Sequence, residues 1–185
     1  MDTQWQAHRA AAAYQTATRF DRSRLVDHQG VTVSTGGDIE MKQDLVNRHV
    51  RSELAHDWEG ALETMTDEPF YEHYPIGIRV RGREAIREMW IRLLNLADLV
   101  PEIGKATHKQ WFTEDTVVEM YEWEIELADG TTMPSRTWTV FHFRDGLIES
   151  ERVYSDENAT RLIKQALGGE QFMTYPGVER VTIQQ

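Results

Sequence analysis

The second half of the chain limits the fold most, because it holds three strand-like stretches joined by two hairpin signals. Val117 to Leu127 alternates in side-chain character, with Val117, Tyr121, Trp123, Ile125 and Leu127 against Val118, Met120, Glu122, Glu124 and Glu126. Asp129-Gly130 suits the positive-φ positions of a tight hairpin. The return strand reads SRTWTVFHF over residues 135–143, Asp145-Gly146 signals a second hairpin, and Leu147–Ser155 forms a third strand. A meander of this kind has two faces and needs other elements to cover at least one of them.

Those covering elements lie mostly upstream. Leu45, Val46, Val50 and Leu54 share one helical face after Gly36-Gly37, with Asp38 as N-cap. Trp58, Ala61, Leu62 and Met65 continue a second, shorter helix that Asp57 can cap. Residues 69–75 are aromatic and bounded by prolines, which suits a short strand. A third helix starts at Gly82, buries Ile86, Met89, Trp90, Leu93 and Leu94, and stops near Pro101. A last helix runs from an Asp156 cap through Leu167 to Gly168-Gly169. The order predicts an α+β fold and not a βαβ repeat. Residues 1–37 read as an N-terminal extension, Ala-rich and helix-prone from Trp5 to Phe20; 38–169 read as the domain, and 170–185 as a C-terminal tail.

Composition narrows function by exclusion. The 31 acidic and 20 basic residues give a net charge of −11, a field that repels phosphate backbones, so no nucleic-acid partner is expected. No apolar run approaches the roughly 18–20 residues of a membrane span, and the N-terminus lacks the apolar region of a signal peptide, so a cytoplasmic location is expected. There is no cysteine and no histidine pair at i, i+3 or i+4, so no metal is expected. No Gly-rich or Walker motif supports a nucleotide, and Ser135, Ser150 and Ser155 sit in no nucleophile elbow; no cofactor is expected.

Three strings within this layout carry a resemblance: Tyr71-Glu72-His73-Tyr74-Pro75, Arg81-Gly82-Arg83-Glu84-Ala85-Ile86, and Val140 to Gly146 continuing to Tyr154-Ser155-Asp156. Over about residues 42–167 the chain resembles the nuclear transport factor 2-like superfamily, and most closely its SnoaL-like polyketide cyclase branch. The resemblance implies a cone: a curved antiparallel sheet wrapped around helices, forming a cystatin-like α+β barrel. It also implies a small-molecule substrate in the cone cavity and a homodimer. Members include ketosteroid isomerase, limonene epoxide hydrolase, scytalone dehydratase, polyketide cyclases and non-catalytic binding domains, so one fold carries many functions.

Residue by residue, the resemblance implies three catalytic candidates. His73 stands where the isomerase has its aspartate base, Asp156 where the cyclases and the epoxide hydrolase have a catalytic aspartate, and Glu122 near a second hydrolase aspartate. It implies His49 in place of an oxyanion tyrosine and Tyr71 in place of a water-positioning tyrosine. Met120 replaces the hydrolase's bridging arginine, which disfavours epoxide opening, and Thr139 replaces an isomerase aspartate and a cyclase histidine. Trp90 and Phe141 complete the expected substrate-binding set as wall residues.

Each candidate has a plainer reading. His73 can be a strand-end histidine bonded to backbone, Asp156 only a helix cap, and His49 a satisfied core residue. Glu122 depends on register. A two-residue Asp129-Gly130 turn pairs 122 with 137 and puts Met120, Glu122 and Glu124 beside Ser135, Thr137, Thr139 and Phe141. The opposite face then holds Tyr121, Trp123, Ile125, Trp138 and Val140. Periodicity makes this aromatic face the core, whereas the resemblance turns the polar face to the cavity and the aromatic face to a second subunit. The reading favoured is a cofactor-independent general acid–base enzyme of cyclase, isomerase or dehydratase type, acting on a small, largely apolar molecule. The alternatives are a non-catalytic ligand-binding or dimerisation domain and an epoxide hydrolase.

Overall fold

The computed structural model describes residues 36–97, 107–113, 115–126 and 130–181. The helix-prone stretch Trp5–Phe20 lies outside the described residues. Helix α1 (Gly36–Leu54) leads through Asp57, whose side chain accepts from the Gly60 amide at 3.0 Å, into α2 (Trp58–Leu62). Strands β1 (Met65–Tyr74) and β2 (Ile78–Arg81) follow, then α3 (Arg83–Ala97). Strands β3 (Thr107–Phe112), β4 (Thr116–Glu126), β5 (Thr132–Arg144) and β6 (Leu147–Ser155) come next. Helix α4 (Glu157–Leu167), a 3₁₀ turn (Gly169–Thr174) and β7 (Val178–Arg180) close the described chain.

The strands form one curved sheet in the order β3-β4-β5-β6-β1-β2-β7. The α+β expectation holds, and the meander β4 to β6 is antiparallel as read, with β3 added antiparallel to β4. The sheet is mixed, however, because β1 lies parallel to β6, with Tyr71 opposite Glu151 and His73 opposite Val153. Such pairing joins residues about eighty positions apart, and no local pattern announces it. Asp145 and Gly146, both at positive φ, make the two-residue turn between β5 and β6.

The core lies between the sheet's inner face and the helices. Helix α1 buries Val46, His49 and Val50, while α3 buries Ala85, Ile86, Met89 and Trp90. These spacings put each set on one helical face. The stretch beyond residue 169, read as a tail, contributes Phe172 (1% exposed) to the core and adds β7 to the sheet against β2.

The register of β4 against β5 decides which side chains face inward. Tyr121 lies opposite Thr137, Glu122 opposite Arg136 and Glu126 opposite Thr132, one residue out of the register that a two-residue Asp129-Gly130 turn implies. That one-residue offset reverses β4 relative to β5. The inner face therefore carries Val117, Glu119, Tyr121 and Trp123 beside Ser135, Thr137, Thr139 and Phe141. Met120 and Glu122 turn to the outer face, with Trp138 and Val140.

Candidate functional site

Reading across the strands, the inner face is a series of rows. The deepest runs Val117, Phe141, Glu151, Tyr71, Val80; the next runs Glu119, Thr139, Val153, His73, Ile78; a third holds Tyr121, Thr137 and Ser155. Helix α1 lowers His49 onto the deepest row and α3 lowers Trp90 beside it. Four of the expected residues thus meet: His49, Tyr71, Trp90 and Phe141. The His49 ring lies 5.7 Å from that of Trp90 and 6.2 Å from that of Phe141. His73 stacks on Tyr71 one step along the strand, and Thr139 shares its row.

The sequence reading missed the acids at this meeting point. Glu151 (4% exposed) accepts from the Tyr71 hydroxyl and stands 2.7 Å from His49 Nε2. Glu53, one helical turn after His49, stands 3.2 Å from the same nitrogen and 2.8 Å from the Tyr71 oxygen. Trp90 Nε1 donates to the Tyr71 oxygen at 3.2 Å, and His49 Nδ1 contacts Thr64 Oγ1 at 2.6 Å. Burial pushes the Glu151 carboxyl up, and Glu53 adds to this against the pull of His49, leaving it at about 7. Burial would push His49 down, but Glu53 and Glu151 outweigh it and hold it at about 10, so the imidazole stays protonated. Burial and the two carboxylates raise the Tyr71 phenol well above its ordinary value. The cluster is therefore a buried, proton-rich network centred on an acid poised near neutrality.

His49, Glu53 and Glu151 also place one ligand atom each within 4.8 Å of one another, a set able to hold a cation. A search for histidine pairs overlooks such a set, since its ligands are one histidine and two glutamates. The separations of 2.7 and 3.2 Å at His49 Nε2 are also those of hydrogen bonds between the imidazole and the two carboxyl groups.

His73 has a different character. Its Nε2 lies 3.3 Å from Met89 Sδ, and its buried Nδ1 has no hydrogen-bond partner among the described residues. Burial drives its pKa down to about 4, so the ring is neutral at pH 7. A second buried acid, Glu119 (0% exposed), accepts from Gln110 and Tyr121 and lies 3.2 Å from His108 Nε2.

Three expected residues stand apart from this network. Asp156 caps α4 by accepting from the Ala159 amide at 2.9 Å, and clasps β5 through Ser135 Oγ at 3.1 Å and the Arg136 amide at 2.6 Å. Its plainer reading as a cap describes what it does here. Glu122, expected as catalytic, lies on the outer face 2.7 Å from Arg136 Nε and 3.8 Å from Lys109, and these cations lower its pKa. Met120, expected to bind substrate, also lies on the outer face, between Lys109 and Trp138 in register. The offset β4–β5 register moves both residues.

The outer face carries stacked aromatic pairs, Trp111 with Trp138 and Tyr74 with Tyr154, and Trp111, Trp138 and Tyr154 are each at least 39% exposed. No described helix is long and apolar enough to cross a membrane.

A helix-flanked curved sheet with a polar cluster on its inner face defines the nuclear transport factor 2-like class. Within it, residues 46–151 match the SnoaL-like domain, and the chain belongs to that family. No curated protein matches the chain. Among solved structures, it is similar to the Rv3472 protein of Mycobacterium tuberculosis, of unknown function, at 16% identity and a TM-score of 0.51 over 79% of this chain and 94% of that one. It is similar to Bal32a from a soil-derived mobile gene cassette at 16% identity and a TM-score of 0.50, covering 65% and 92%. A de novo designed protein with a curved β-sheet is equally similar, at 16% identity and a TM-score of 0.50 over 70% and 96%. A design sharing the architecture makes plain that these likenesses show the fold alone.

Proposed function

We propose that this chain is a cofactor-independent acid–base enzyme of cyclase, isomerase or dehydratase type, acting on a small, largely apolar organic molecule held against the inner face. The observation that carries the reading is the buried Glu151 carboxyl, hydrogen-bonded by Tyr71 and His49 and held at about 7. A general base is most effective when its pKa lies near the working pH. In this reading Glu151 accepts a proton from carbon or water and returns it. Protonated His49 and the Tyr71 hydroxyl offset the charge that develops. His73 offers the bound molecule a neutral imidazole, and Thr139, Phe141 and Trp90 border it. The roles first expected of Asp156 and Glu122 pass to Glu151.

The reading includes a homodimer built through the outer face, where the stacked pairs Trp111–Trp138 and Tyr74–Tyr154 leave aromatic rings exposed for a second subunit to cover. Replacing Trp138 with Glu is expected to yield a monomer by light scattering; an unchanged mass would remove the sheet face from the interface.

The catalytic reading is tested by incubating wild type and Glu151→Gln with polyketide-like ketones, steroids and terpenoid epoxides found by thermal shift. Conversion by wild type and not by the variant is expected. A compound that stabilises both proteins and is recovered unchanged from both would make this a binding domain.

A further inference from the structure

Beyond the proton-transfer cluster, the inner face carries buried polar atoms with no hydrogen-bond partner among the described residues, and four of them are Trp123 Nε1, Thr137 Oγ1, Ser155 Oγ and His73 Nδ1. They are not scattered. Thr137 lies directly opposite Ser155, and Tyr121 opposite Thr137 puts Trp123, two residues on, diagonal to Thr137. Val153 opposite His73 likewise puts Ser155 diagonal to His73. The four side chains therefore step across β4, β5, β6 and β1 in one line. With neighbouring strands about 4.8 Å apart and each of the two diagonal steps adding about 6.6 Å along the strands, the line runs roughly 20 Å from Trp123 to His73, and its last step, from Ser155 to His73, is roughly 8 Å, the length of a two-ring molecule. A buried polar atom without a partner is costly, and four on one line of a ligand-binding face ask for a shared partner.

We infer that Trp123, Thr137 and Ser155 form a polar subsite that receives a neutral carbonyl oxygen at one end of a flat, ring-built ligand whose other end meets His73. The indole N–H can only donate, and the two hydroxyls can turn to donate with it, so the three side chains suit an acceptor. A ketone oxygen meets that demand. A carboxylate is disfavoured because Glu53, Glu119 and Glu151 already place acids against the same face. This assignment rests on the inner face being the ligand site, as proposed above, and not on Glu151 being the base.

The test uses three probes of one shape: 2-acetonaphthone, 2-ethylnaphthalene and 2-naphthoate, with affinities measured by calorimetry. Wild type is expected to bind the ketone at least about tenfold tighter than the hydrocarbon, as one or two buried hydrogen bonds imply. The Trp123→Phe/Thr137→Val/Ser155→Ala variant is expected to lose that preference while binding the hydrocarbon as before. Equal affinity of wild type for ketone and hydrocarbon, or tighter binding of naphthoate, would overturn the inference. So would a ketone preference that survives in the variant. Thermal stability without probe gives a second readout. Thr137→Val and Ser155→Ala remove hydroxyls that have no partner among the described residues, so an unchanged or raised Tm is expected, and a clear fall would show that they are structural. Glu151→Gln is expected to keep the ketone preference. A preference intact in that variant with no turnover in wild type would leave the subsite standing and sink the catalytic reading alone.

Discussion

Glu72 and Glu151 sit on paired strands, are 3% and 4% exposed, and differ by one register step, yet they face opposite sides of the sheet. On the outer side, burial pushes the Glu72 carboxyl up, but Arg79 at 2.8 Å and Arg152 at 2.9 Å outweigh it and hold it below its ordinary value. On the inner side, Glu151 has a histidine, a phenol and a second carboxylate for company, and burial wins. Both side chains are shut off from solvent, but Glu72 lies under the partly exposed side chains of Arg79 and Arg152, whereas Glu151 lies deep between the sheet and the helices. Depth and company both separate the two acids. The difference is that the outer face neutralises its charges with arginine, while the inner face holds them in a network whose protons can move. Chemistry is accordingly expected on one side of the sheet and assembly on the other.

The sharpest way to break this comparison is to neutralise each acid in turn. Glu151→Gln is expected to lower turnover by roughly 10²–10⁴-fold, the range of one general acid–base group. Glu72→Gln and Glu122→Gln should leave turnover unchanged, and a loss in either would move chemistry to the outer face. Next in size is the pH dependence of stability at His73. Its folded pKa of about 4 lies below the ordinary 6.5, so its contribution is present above pH 6.5 and lost as pH falls through 4. Relative to His73→Gln, wild type should lose roughly 3 kcal/mol between pH 7 and pH 4 in urea unfolding. A flat difference would mean that His73 is solvated. The smallest effect belongs to Asp156: Asp156→Ala is expected to cost about 1 kcal/mol as a lost cap, with turnover retained. Lost turnover at unchanged stability would return Asp156 to the catalytic set.

Much of the fold was legible because helical and strand periodicities differ. The amphipathic spacings of α1 and α3, the Asp57 and Asp156 caps and the Asp145-Gly146 turn are all local signals, and each reads through. β3 was missed because Thr107–Phe112 is largely polar, and β7 because it is three residues long. Of the expected residues, His49, Tyr71, His73, Trp90, Thr139 and Phe141 lie on or against the inner face, and Tyr71, His73 and Phe141 among them stand within the family strings. Met120 and Glu122 were misplaced because a two-residue Asp129-Gly130 turn implies a register one residue away from the one β4 and β5 adopt. Glu151 was hidden by a β-bulge. Ile148 pairs with Phe143 but Ser150 with His142, so Glu149 is extra, and inward parity shifts from the even positions to Glu151, Val153 and Ser155. Glu53 alone left a readable sign, one helical turn from His49.

The most direct test follows every glutamate side-chain carboxyl by carbon-13 NMR from pH 3 to pH 9. The account expects one resonance to titrate at about 7 and to vanish in Glu151→Gln, while that of Glu72 titrates below its ordinary range. If all the glutamates titrate below pH 5, Glu151 is an ordinary carboxylate at neutral pH and the inner face has lost its base.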